Sequence, residues 1–537
     1  MADFGPDRSV STGHERACEA LIVGAGPTGL CLALALRRQG VDCRVVDAGD
    51  APRAEPRAAV VWPREAELLT ALGLGDRLRQ AARPLGPTAV FMGRRLLGEM
   101  PFDGVASAFD RPLVIEQHVL QALIEAELHD AGGRVEWRTR VADVVQEDGG
   151  VRADLVRADG SGLVARAGWL VGCDGAHSFV RKRLGVPFVG RAVPDLEVVQ
   201  VKAEVDWPHD PARGALFLAP GKSLGSFLMP DGRRRFYCFK TIEAPERASA
   251  PTLQEMQTLI GATMGGPPVA LRNADWLSRA RFQERIAVRL RLGRFLLAGD
   301  AAHVWPAVGG HGMAVAILGA CNLAWRLAAV IKGRGPVTLL DGYDQEQRAQ
   351  AAVMIGKMRL NLFERPLPGI ALAGLAAVLP WALTSGRLRR AIEHGLLSDL
   401  GLHHRTSPLS TTRSGGRLRA GDRLPDGAVV VQGTRTTLHA LLSIRRWTLI
   451  LPPHADPGPI ARRLGGRSDF RMVAAAPEGE GAAAALGASR AMWLVRPDGF
   501  IGMTAPAEDL AALDAYLGAW LPPPQVGRRH DALARLP

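Results

Sequence analysis

The stretch Ala20-Leu-Ile-Val-Gly-Ala-Gly-Pro-Thr-Gly29 decides the fold of this chain. It starts with four apolar residues, which are typical of a buried parallel strand. Residues 30–38 have the pattern of a helix, and Gly40 follows as a residue that favours helix ends. Cys43–Val46 is a second apolar run, and it ends at Asp47. The order strand, glycine turn, helix, strand predicts a βαβ unit in a doubly wound sheet.

The glycines of this turn have different tasks in a dinucleotide-binding fingerprint. Gly24 permits the tight turn, Gly26 lets the backbone approach a pyrophosphate, and Gly29 lets the helix pack on the strand. The N-terminus of the helix supplies N–H groups to the phosphates. Asp47 follows at the distance where a ribose hydroxyl needs an acceptor, and its charge would repel a 2′-phosphate. The turn therefore indicates FAD or NAD, with a glycine turn that binds no nucleotide as the alternative.

A second region favours FAD over NAD. In the stretch Gly293-Arg-Phe-Leu-Leu-Ala-Gly-Asp-Ala-Ala-His303 an apolar strand ends at Asp300, and Gly309-Gly-His-Gly-Met313 then opens an apolar helix. Asp300 can accept a hydrogen bond from a ribityl hydroxyl, and the helix N-terminus can oppose negative charge on a flavin ring. An NAD enzyme has no use for this second unit. The alternative is that Asp300 only caps the helix.

Composition excludes several other classes of protein. The chain has 537 residues, enough for two or three domains, and its net charge of +12 is spread in short basic groups. This spread does not favour a nucleic-acid partner. The six cysteines show neither a CxxC motif nor metal-ligand spacing, and residues 1–16 carry no apolar signal region. The longest apolar stretch, residues 370–383, is too short to span a bilayer. We expect a soluble cytoplasmic protein with no metal site and no membrane span.

The middle of the chain has the period of strands. Val199, Val201, Ala203 and Val205 alternate with polar residues, and Pro-Gly and Asp-Gly turns separate further short apolar runs. We expect an antiparallel-sheet insertion here and a linker around residues 407–416, where Ser, Thr, Gly and Arg predominate. The expected segments are residues 1–185, 186–284, 285–405 and 417–537.

Three motifs in order resemble those of the FAD-dependent aromatic hydroxylases, the class A flavoprotein monooxygenases with the para-hydroxybenzoate hydroxylase fold. The first is the glycine fingerprint. The second is Cys173-Asp-Gly175 with Arg181, which resembles the Asp-Gly motif that serves FAD and the nicotinamide cofactor. The third is Gly299-Asp300 at the ribityl chain. Arg496-Pro-Asp-Gly499 resembles the end of the thioredoxin-like domain of longer members.

The resemblance implies an α/β protein with a Rossmann-type FAD-binding domain, an inserted antiparallel-sheet substrate domain and a C-terminal thioredoxin-like domain. Since no cysteine follows Cys321, that last domain has no redox function. The cofactors are FAD and, as co-substrate, NADPH or NADH. The implied cofactor-binding residues are Gly24, Gly26, Pro27, Thr28, Gly29, Asp47, Arg57, Gln117, Val141, Asp174, Gly299, Asp300, Gly312, Met313 and Ala314.

The chain departs from the family pattern where the last helix begins. The family has Gln and then Asn-Thr-Gly, and an Asp follows further on; the corresponding residues here are His311, Ala314, Val315, Ala316 and Gly319. The backbone N–H groups survive these changes, so flavin binding should survive too. The shape of the pocket over the flavin is what changes.

The resemblance implies hydroxylation of a phenolic or polycyclic, polyketide-like aromatic substrate with NAD(P)H and molecular oxygen. Reduced flavin would react with oxygen to a flavin hydroperoxide, which is chemistry of the cofactor. His311 and Arg57 are the candidate catalytic residues, by closeness to the flavin alone. Alternatives are Baeyer–Villiger oxidation, epoxidation, or a flavoprotein that has lost turnover and acts as a binding partner. A homodimer is a further expectation.

Overall fold

A computed structural model describes residues 17–52, 58–102, 107–243, 249–361, 364–396, 398–414, 416, 418–478 and 490–523. Arg57 lies outside the described residues. The helices are α1 (Pro27–Arg38), α2 (Pro63–Ala71), α3 (Gly75–Ala81), α4 (Gln117–Asp130), α5 (Phe179–Arg183), α6 (Leu253–Met264), α7 (Gly312–Ile331), α8 (Leu339–Leu360), α9 (Gly369–Thr384), α10 (Gly386–Leu396), α11 (Leu438–Leu441), α12 (Gly458–Leu464) and α13 (Leu510–Trp520).

The strands up to residue 205 are β1 (Cys18–Val23), β2 (Cys43–Val46), β3 (Val60–Val61), β4 (Arg83–Pro84), β5 (Thr88–Met92), β6 (Arg95–Met100), β7 (Leu113–Val114), β8 (Val135–Glu136), β9 (Thr139–Glu147), β10 (Gly150–Arg157), β11 (Gly162–Gly172) and β12 (Phe188–Val205). Those that follow are β13 (Gly214–Ala219), β14 (Lys222–Leu228), β15 (Arg234–Thr241), β16 (Leu271–Ala287), β17 (Arg291–Leu292), β18 (Phe295–Leu297), β19 (His303–Val304), β20 (Thr411–Thr412), β21 (Ala428–Val431), β22 (Thr434–Thr437), β23 (Trp447–Leu451), β24 (Phe470–Ala474), β25 (Ala476–Pro477), β26 (Ala491–Val495) and β27 (Ile501–Pro506).

The first sheet carries the predicted βαβ unit. Its path is β17-β18-β11-β1-β2-β8, and β9 and β10 extend it through β11. β1 pairs in parallel with β2 on one side and with β11 on the other. Helix α1 is buried from Thr28 to Leu36 and packs against α4 and α7. It begins at Pro27, three residues earlier than the sequence predicts, because proline suits the first helical position.

The second sheet has the order β19-β16-β12-β15-β14-β13-β5-β6. The alternation in β12 is confirmed: Val199, Val201 and Ala203 are buried with α6 on one face of the sheet. The sheet is wider than the expected segment 186–284, because β5 and β6 join its edge and β16 continues to Ala287. β13 pairs with β5 in parallel, so the sheet is not purely antiparallel.

The C-terminal part has a five-stranded sheet, β20-β27-β26-β23-β24, with α12 and α13. The segment predicted as a linker is packed rather than free: β20 pairs with β27, and Ser407 donates to Glu346 at 2.5 Å. Arg496 joins the two parts, with Nη1 2.9 Å from Oε1 of Glu346 on α8 and Nε 2.9 Å from Oδ1 of Asp498. Buried charges of this kind fix the relative position of two units because each needs its partner.

Among the described residues one helix, Val308–Ile331 including α7, is long and apolar enough to cross a bilayer, and 83% of its most apolar window is buried in the protein. Helices α9 and α10, bent by 104°, pass the same test only as a pair.

Candidate active site

A cavity of about 950 Å³ extends from the glycine fingerprint to the second sheet. Gly24, Asp47 and Val141 line one end of it, and Phe227 and Tyr237 line the other. Of the residues that the resemblance implies, those that line the cavity are Gly24, Gly26, Pro27, Thr28, Asp47, Gln117, Val141, Asp174, Asp300, Gly312 and Met313.

The glycines of the fingerprint differ in what a side chain would meet. A Cβ on Gly24, where φ is +106°, would lie 2.4 Å from the carbonyl oxygen of Cys173, and a Cβ on Gly29 would lie 1.9 Å from that of Gly24. A Cβ on Gly299 would lie 2.4 Å from Oγ1 of Thr28. By contrast, a Cβ on Gly26 would meet no protein atom within 4 Å, and Gly26 lines the cavity. Protein packing leaves open the space into which the Gly26 Cβ would project, as close approach by a pyrophosphate requires.

Two helix N-termini face this cavity. Neither α1 nor α7 has a side chain that caps its first turn, and neither has an acidic residue there. Gly26 and Pro27 line the cavity at the start of α1, and Gly312 and Met313 line it at the start of α7. Uncapped N–H groups and the helix dipole favour a bound anion at both places. The residues present at the two helix N-termini therefore fit the phosphates and the ring of a flavin dinucleotide.

Asp47 is held by the backbone. Its Oδ2 accepts from the N–H of Ala25 at 2.6 Å, and its Oδ1 accepts from the N–H of Gly49 at 2.7 Å. Each carboxylate oxygen can still accept a second hydrogen bond, such as one from a ribose hydroxyl. Gln121, one turn after Gln117 on α4, also lines the cavity and accepts from the Gln117 amide at 3.3 Å. Gln121 was not among the predicted residues, although the i, i+4 spacing from Gln117 indicates a shared helix face.

The Asp-Gly motif is tied to the ribityl motif. Asp174 Oδ1 accepts from the hydroxyl of Ser178 at 2.5 Å, and Asp174 Oδ2 accepts from the N–H of Val180 at 3.0 Å. Arg181 donates from Nη1 to the carbonyl of Ala301, next to Asp300, at 2.8 Å. The second and third motifs of the sequence are therefore one connected structure.

His311 and Ala314 lie behind the cavity wall. His311 is fully buried, its Nδ1 is 2.8 Å from Oδ2 of Asp399, and its ring stacks on Trp62 with centroids 4.7 Å apart. Trp62 is the residue of this group that lines the cavity. Ala314 is buried in the apolar cluster that contains Trp62 and Leu216. Neither residue lines the cavity: His311 reaches it through Trp62, and Ala314 supports Trp62 and Leu216, which do line it.

The end of the cavity lined by Phe227 and Tyr237, here called the substrate end, contains polar residues that were not among the predicted site residues. On β15, Arg235, Tyr237 and Phe239 line the cavity, while Phe236 and Cys238 point to α6. The period of two is visible in the sequence. Which face meets the cavity depends on the position of β15 in the sheet, which the sequence does not reveal.

Tyr237 and Glu364 form a hydrogen-bonded pair in the cavity wall. The Tyr237 hydroxyl donates to Glu364 Oε1 at 2.8 Å, and the N–H of Gly309 donates to Glu364 Oε2. Burial raises the pKa of Glu364, and the hydrogen bonds from Gly309 and Tyr237 oppose this rise. Burial, and then the nearby Glu364, raise the pKa of Tyr237 well above its usual value. This pair connects the substrate end to the turn before α7.

Two further polar residues have pKa values changed by burial. Burial lowers the pKa of Arg235 to about 10, so it stays a cation at neutral pH, and its Nη2 donates to Gln200 at 2.8 Å. Burial lowers the pKa of His303 to about 4, so this imidazole is neutral at pH 7. Both side chains line the cavity.

A second cavity of about 580 Å³ shares Ala176, His177, Val304 and Trp305 with the first. Its charged lining residues are all basic: Arg181, Lys182, Arg281 and Arg285. No acidic side chain of the described residues lines it. A cleft whose charged residues are all positive attracts a negatively charged ligand.

Comparisons with known proteins agree with this geometry. The family described as FAD binding domain matches residues 17–357, and the family described as Aromatic-ring hydroxylase, C-terminal, matches residues 418–524. The 6-methylpretetramide 4-monooxygenase of Streptomyces rimosus is 31% identical over 540 residues, which cover 93% of each chain. The dialkyldecalin synthase of Streptomyces rugosporus is 29% identical, over 93% of this chain and 98% of its own.

A similar solved structure is that of aklavinone-11 hydroxylase in a ternary complex with FAD and aklavinone. It has a TM-score of 0.75 and 26% identity, with 94% of this chain and 99% of that chain covered.

Proposed function

This chain belongs to the family of FAD-dependent aromatic-ring hydroxylases, and we propose that it hydroxylates a polycyclic phenol of the polyketide type. The choice of substrate rests on the residues that line one end of the cavity. The end of the cavity beyond α7 is walled mainly by apolar side chains, among them Met100, Phe102 and Phe227, and its polar groups include the pairs Tyr237–Glu364 and Arg235–Gln200. Large apolar walls with few convergent polar groups are typical of sites for flat aromatic ligands.

The pair Tyr237–Glu364 can hold and activate a phenol. The oxygen of Tyr237 can accept a hydrogen bond from a phenolic hydroxyl while its own proton is donated to Glu364. As the phenol loses its proton to the Tyr237 oxygen, the Tyr237 proton moves to Glu364 Oε1. A phenolate is richer in electrons than a phenol and is therefore more easily attacked by an electrophilic oxygen. We assign Tyr237 to proton transfer and Glu364 to accepting the proton.

FAD supplies the oxygen activation when it is bound, and the protein supplies binding and orientation. We assign the pyrophosphate to Gly26 and the start of α1, the ribose to Asp47, the ribityl chain to Asp300, and the ring to Gly312 and Met313. Arg57 stays a candidate from the resemblance alone.

We assign the basic cleft to the phosphates of the nicotinamide co-substrate. The cleft and the main cavity share His177 and Trp305 in their walls, so phosphates bound in the cleft lie next to the flavin site. Lys182, Arg281 and Arg285 give it the positive charge that a pyrophosphate needs. A 2′-phosphate would add to this attraction, so NADPH is the favoured reductant.

The experiment combines two variants and one control. Polycyclic phenols should stimulate NADPH oxidation by the wild type and yield a hydroxylated product. Tyr237→Phe and Glu364→Gln should keep FAD and lose most of this product. Tyr516→Phe removes another buried hydroxyl, one that bonds to the Leu409 carbonyl in the C-terminal part, and should behave as the wild type. Full product formation by both Tyr237→Phe and Glu364→Gln would contradict the assignment.

A second candidate is ring closure without net oxidation. The similarity to a dialkyldecalin synthase favours it, as do the departures from the family pattern at His311 and Ala314. FAD would then stabilise the fold without turnover. This activity predicts product without NADPH consumption, which separates it from hydroxylation.

A further inference from the structure

Helix α9 exposes an apolar face. None of its sixteen residues is charged, and the exposed fractions are 91% for Ile370, 57% for Val378 and 66% for Trp381. Large side chains grouped in this way on one helix differ from the single exposed apolar residues that are normal on protein surfaces. The face is therefore suited to contact another apolar surface.

The opposite face of α9 covers the substrate end of the main cavity. Leu372, Ala376 and Leu379 are buried in one apolar cluster with Met100 and Phe102, which line the cavity. Because one face is held by the protein, α9 cannot be surrounded by lipid as a spanning helix is. It can lie at an interface with its outer face only.

Positive charge follows directly after α9 in the chain. Helix α10 turns away from α9 by 104° and exposes Arg387 and Arg390 together with Leu388. Residues 366–392 contain no aspartate or glutamate. An apolar face with tryptophan and a cationic edge is typical of helices that lie in the surface of an anionic membrane.

We propose that the outer face of α9 and the arginines of α10 dock on an anionic phospholipid surface. Ile370, Val378 and Trp381 would enter the acyl boundary, and Arg387 and Arg390 would contact headgroup phosphates. A second copy of the chain fits less well, because a two-fold contact pairs residues 366–392 with themselves, and this segment has no carboxylate to oppose Arg387 and Arg390. Docking places the wall of the substrate cavity against the lipid, where an apolar substrate is concentrated.

The test is co-sedimentation of the FAD-loaded protein with vesicles. The wild type should bind vesicles of equal parts phosphatidylglycerol and phosphatidylcholine, and should bind pure phosphatidylcholine at least tenfold more weakly. Arg387→Glu/Arg390→Glu should weaken binding to the mixed vesicles about tenfold or more. The control Arg445→Glu/Arg446→Glu changes the net charge equally at two exposed arginines of the C-terminal part and should bind as the wild type.

The apolar part of the proposal has its own pair of variants. Ile370→Asp/Val378→Asp should abolish binding, and Val189→Asp, at a side chain 53% exposed on β12, should not. Absence of wild-type binding, or equal loss in the charge variant and its control, would overturn the proposal. So would a dimer in light scattering that Ile370→Asp dissociates, since that result assigns the face to a second copy. Vesicle binding needs no turnover, so it does not depend on the proposed reaction.

Discussion

The two ends of the main cavity are built from different parts of the chain. At the dinucleotide end the lining is mainly backbone at two helix N-termini, with the open Gly26 and the carboxylates of Asp47, Asp174 and Asp300. At the substrate end they are side chains from separate strands and loops, such as Tyr237 on β15 and Glu364 after α8. A backbone-built site depends on the local turn and tolerates change elsewhere. A site built from side chains changes with each substitution, so one end can keep FAD while the other changes its substrate.

The largest effect is expected at Gly26. A valine there would project into the cavity where the pyrophosphate approaches, so Gly26→Val should yield folded but colourless protein. The measurement is the flavin absorbance of the purified protein, with circular dichroism as the check on folding. Gly518→Val, also at a glycine with no atom within 4 Å of a Cβ, should stay yellow. If the Gly26→Val protein is yellow and its FAD affinity is unchanged, the pyrophosphate does not approach the backbone at Gly26, and the proposed basis of the dinucleotide end is wrong.

The second-largest effect is expected on the rate of hydroxylation, from variants at the substrate end. Tyr237→Phe and Glu364→Gln should lower the rate of hydroxylation about 100-fold, the lower range for loss of a general acid or base. The flavin content should equal that of the wild type. The measurement is product formed per flavin at saturating NADPH. A loss of FAD from both variants would show that the two ends are not independent.

The pH dependence of the hydroxylation rate tests the role of Glu364 as the proton acceptor. Glu364 must be ionised to accept the proton, and burial raises its pKa above the usual 4.5. The rate of hydroxylation should therefore rise as pH increases through this raised pKa and level off above it. In Glu364→Gln the remaining slow rate should lack this acidic limb. If the rate of Glu364→Gln rises with pH in the same way, the ionisation that controls the rate belongs to another group.

A smaller effect is expected at Asp300. If its carboxylate accepts a hydrogen bond from the ribityl chain, Asp300→Ala should weaken FAD by about 1–3 kcal/mol, the scale for a polar group left without its partner. Titration of the apoprotein with FAD, followed by flavin fluorescence, measures this. Unchanged affinity would mean that Asp300 serves only the turn before β19.

The smallest effect on FAD is expected at Ala314, which is buried behind the cavity wall. Ala314→Asn restores the residue of the family pattern and should leave FAD affinity within about twofold, since the α7 backbone N–H groups are kept. It should alter substrate-stimulated NADPH oxidation, because the amide enters the cluster that supports Trp62. If Ala314→Asn changes only the FAD affinity, Ala314 belongs to the FAD site and not to the wall of the substrate pocket.

The sequence predicted the dinucleotide end in detail, for a physical reason. Gly24, Gly29 and Gly299 are needed within a local turn, and such turns have fixed spacing that can be recognised in one sequence. The family, the α/β fold class, FAD and an aromatic hydroxylase activity are confirmed. The division into domains and the roles of single residues stay predictions.

The substrate end was not predicted, because its residues meet only after the sheet forms. Tyr237 and Glu364 are 127 positions apart, and neither belongs to a motif of fixed spacing. His311 was a candidate through its sequence position beside Gly312, yet the structure places it behind Trp62 and against Asp399. Nearness to a motif in sequence does not decide which side of a wall a side chain occupies.

The most direct test of the account is a reaction under ¹⁸O₂ with NADPH and a panel of polycyclic phenols. At least one phenol should gain a single hydroxyl that carries ¹⁸O, with one NADPH consumed for each product molecule. If no phenol is hydroxylated, or if the substrate is converted without NADPH consumption, the chain keeps the FAD fold of its family but is not a hydroxylase.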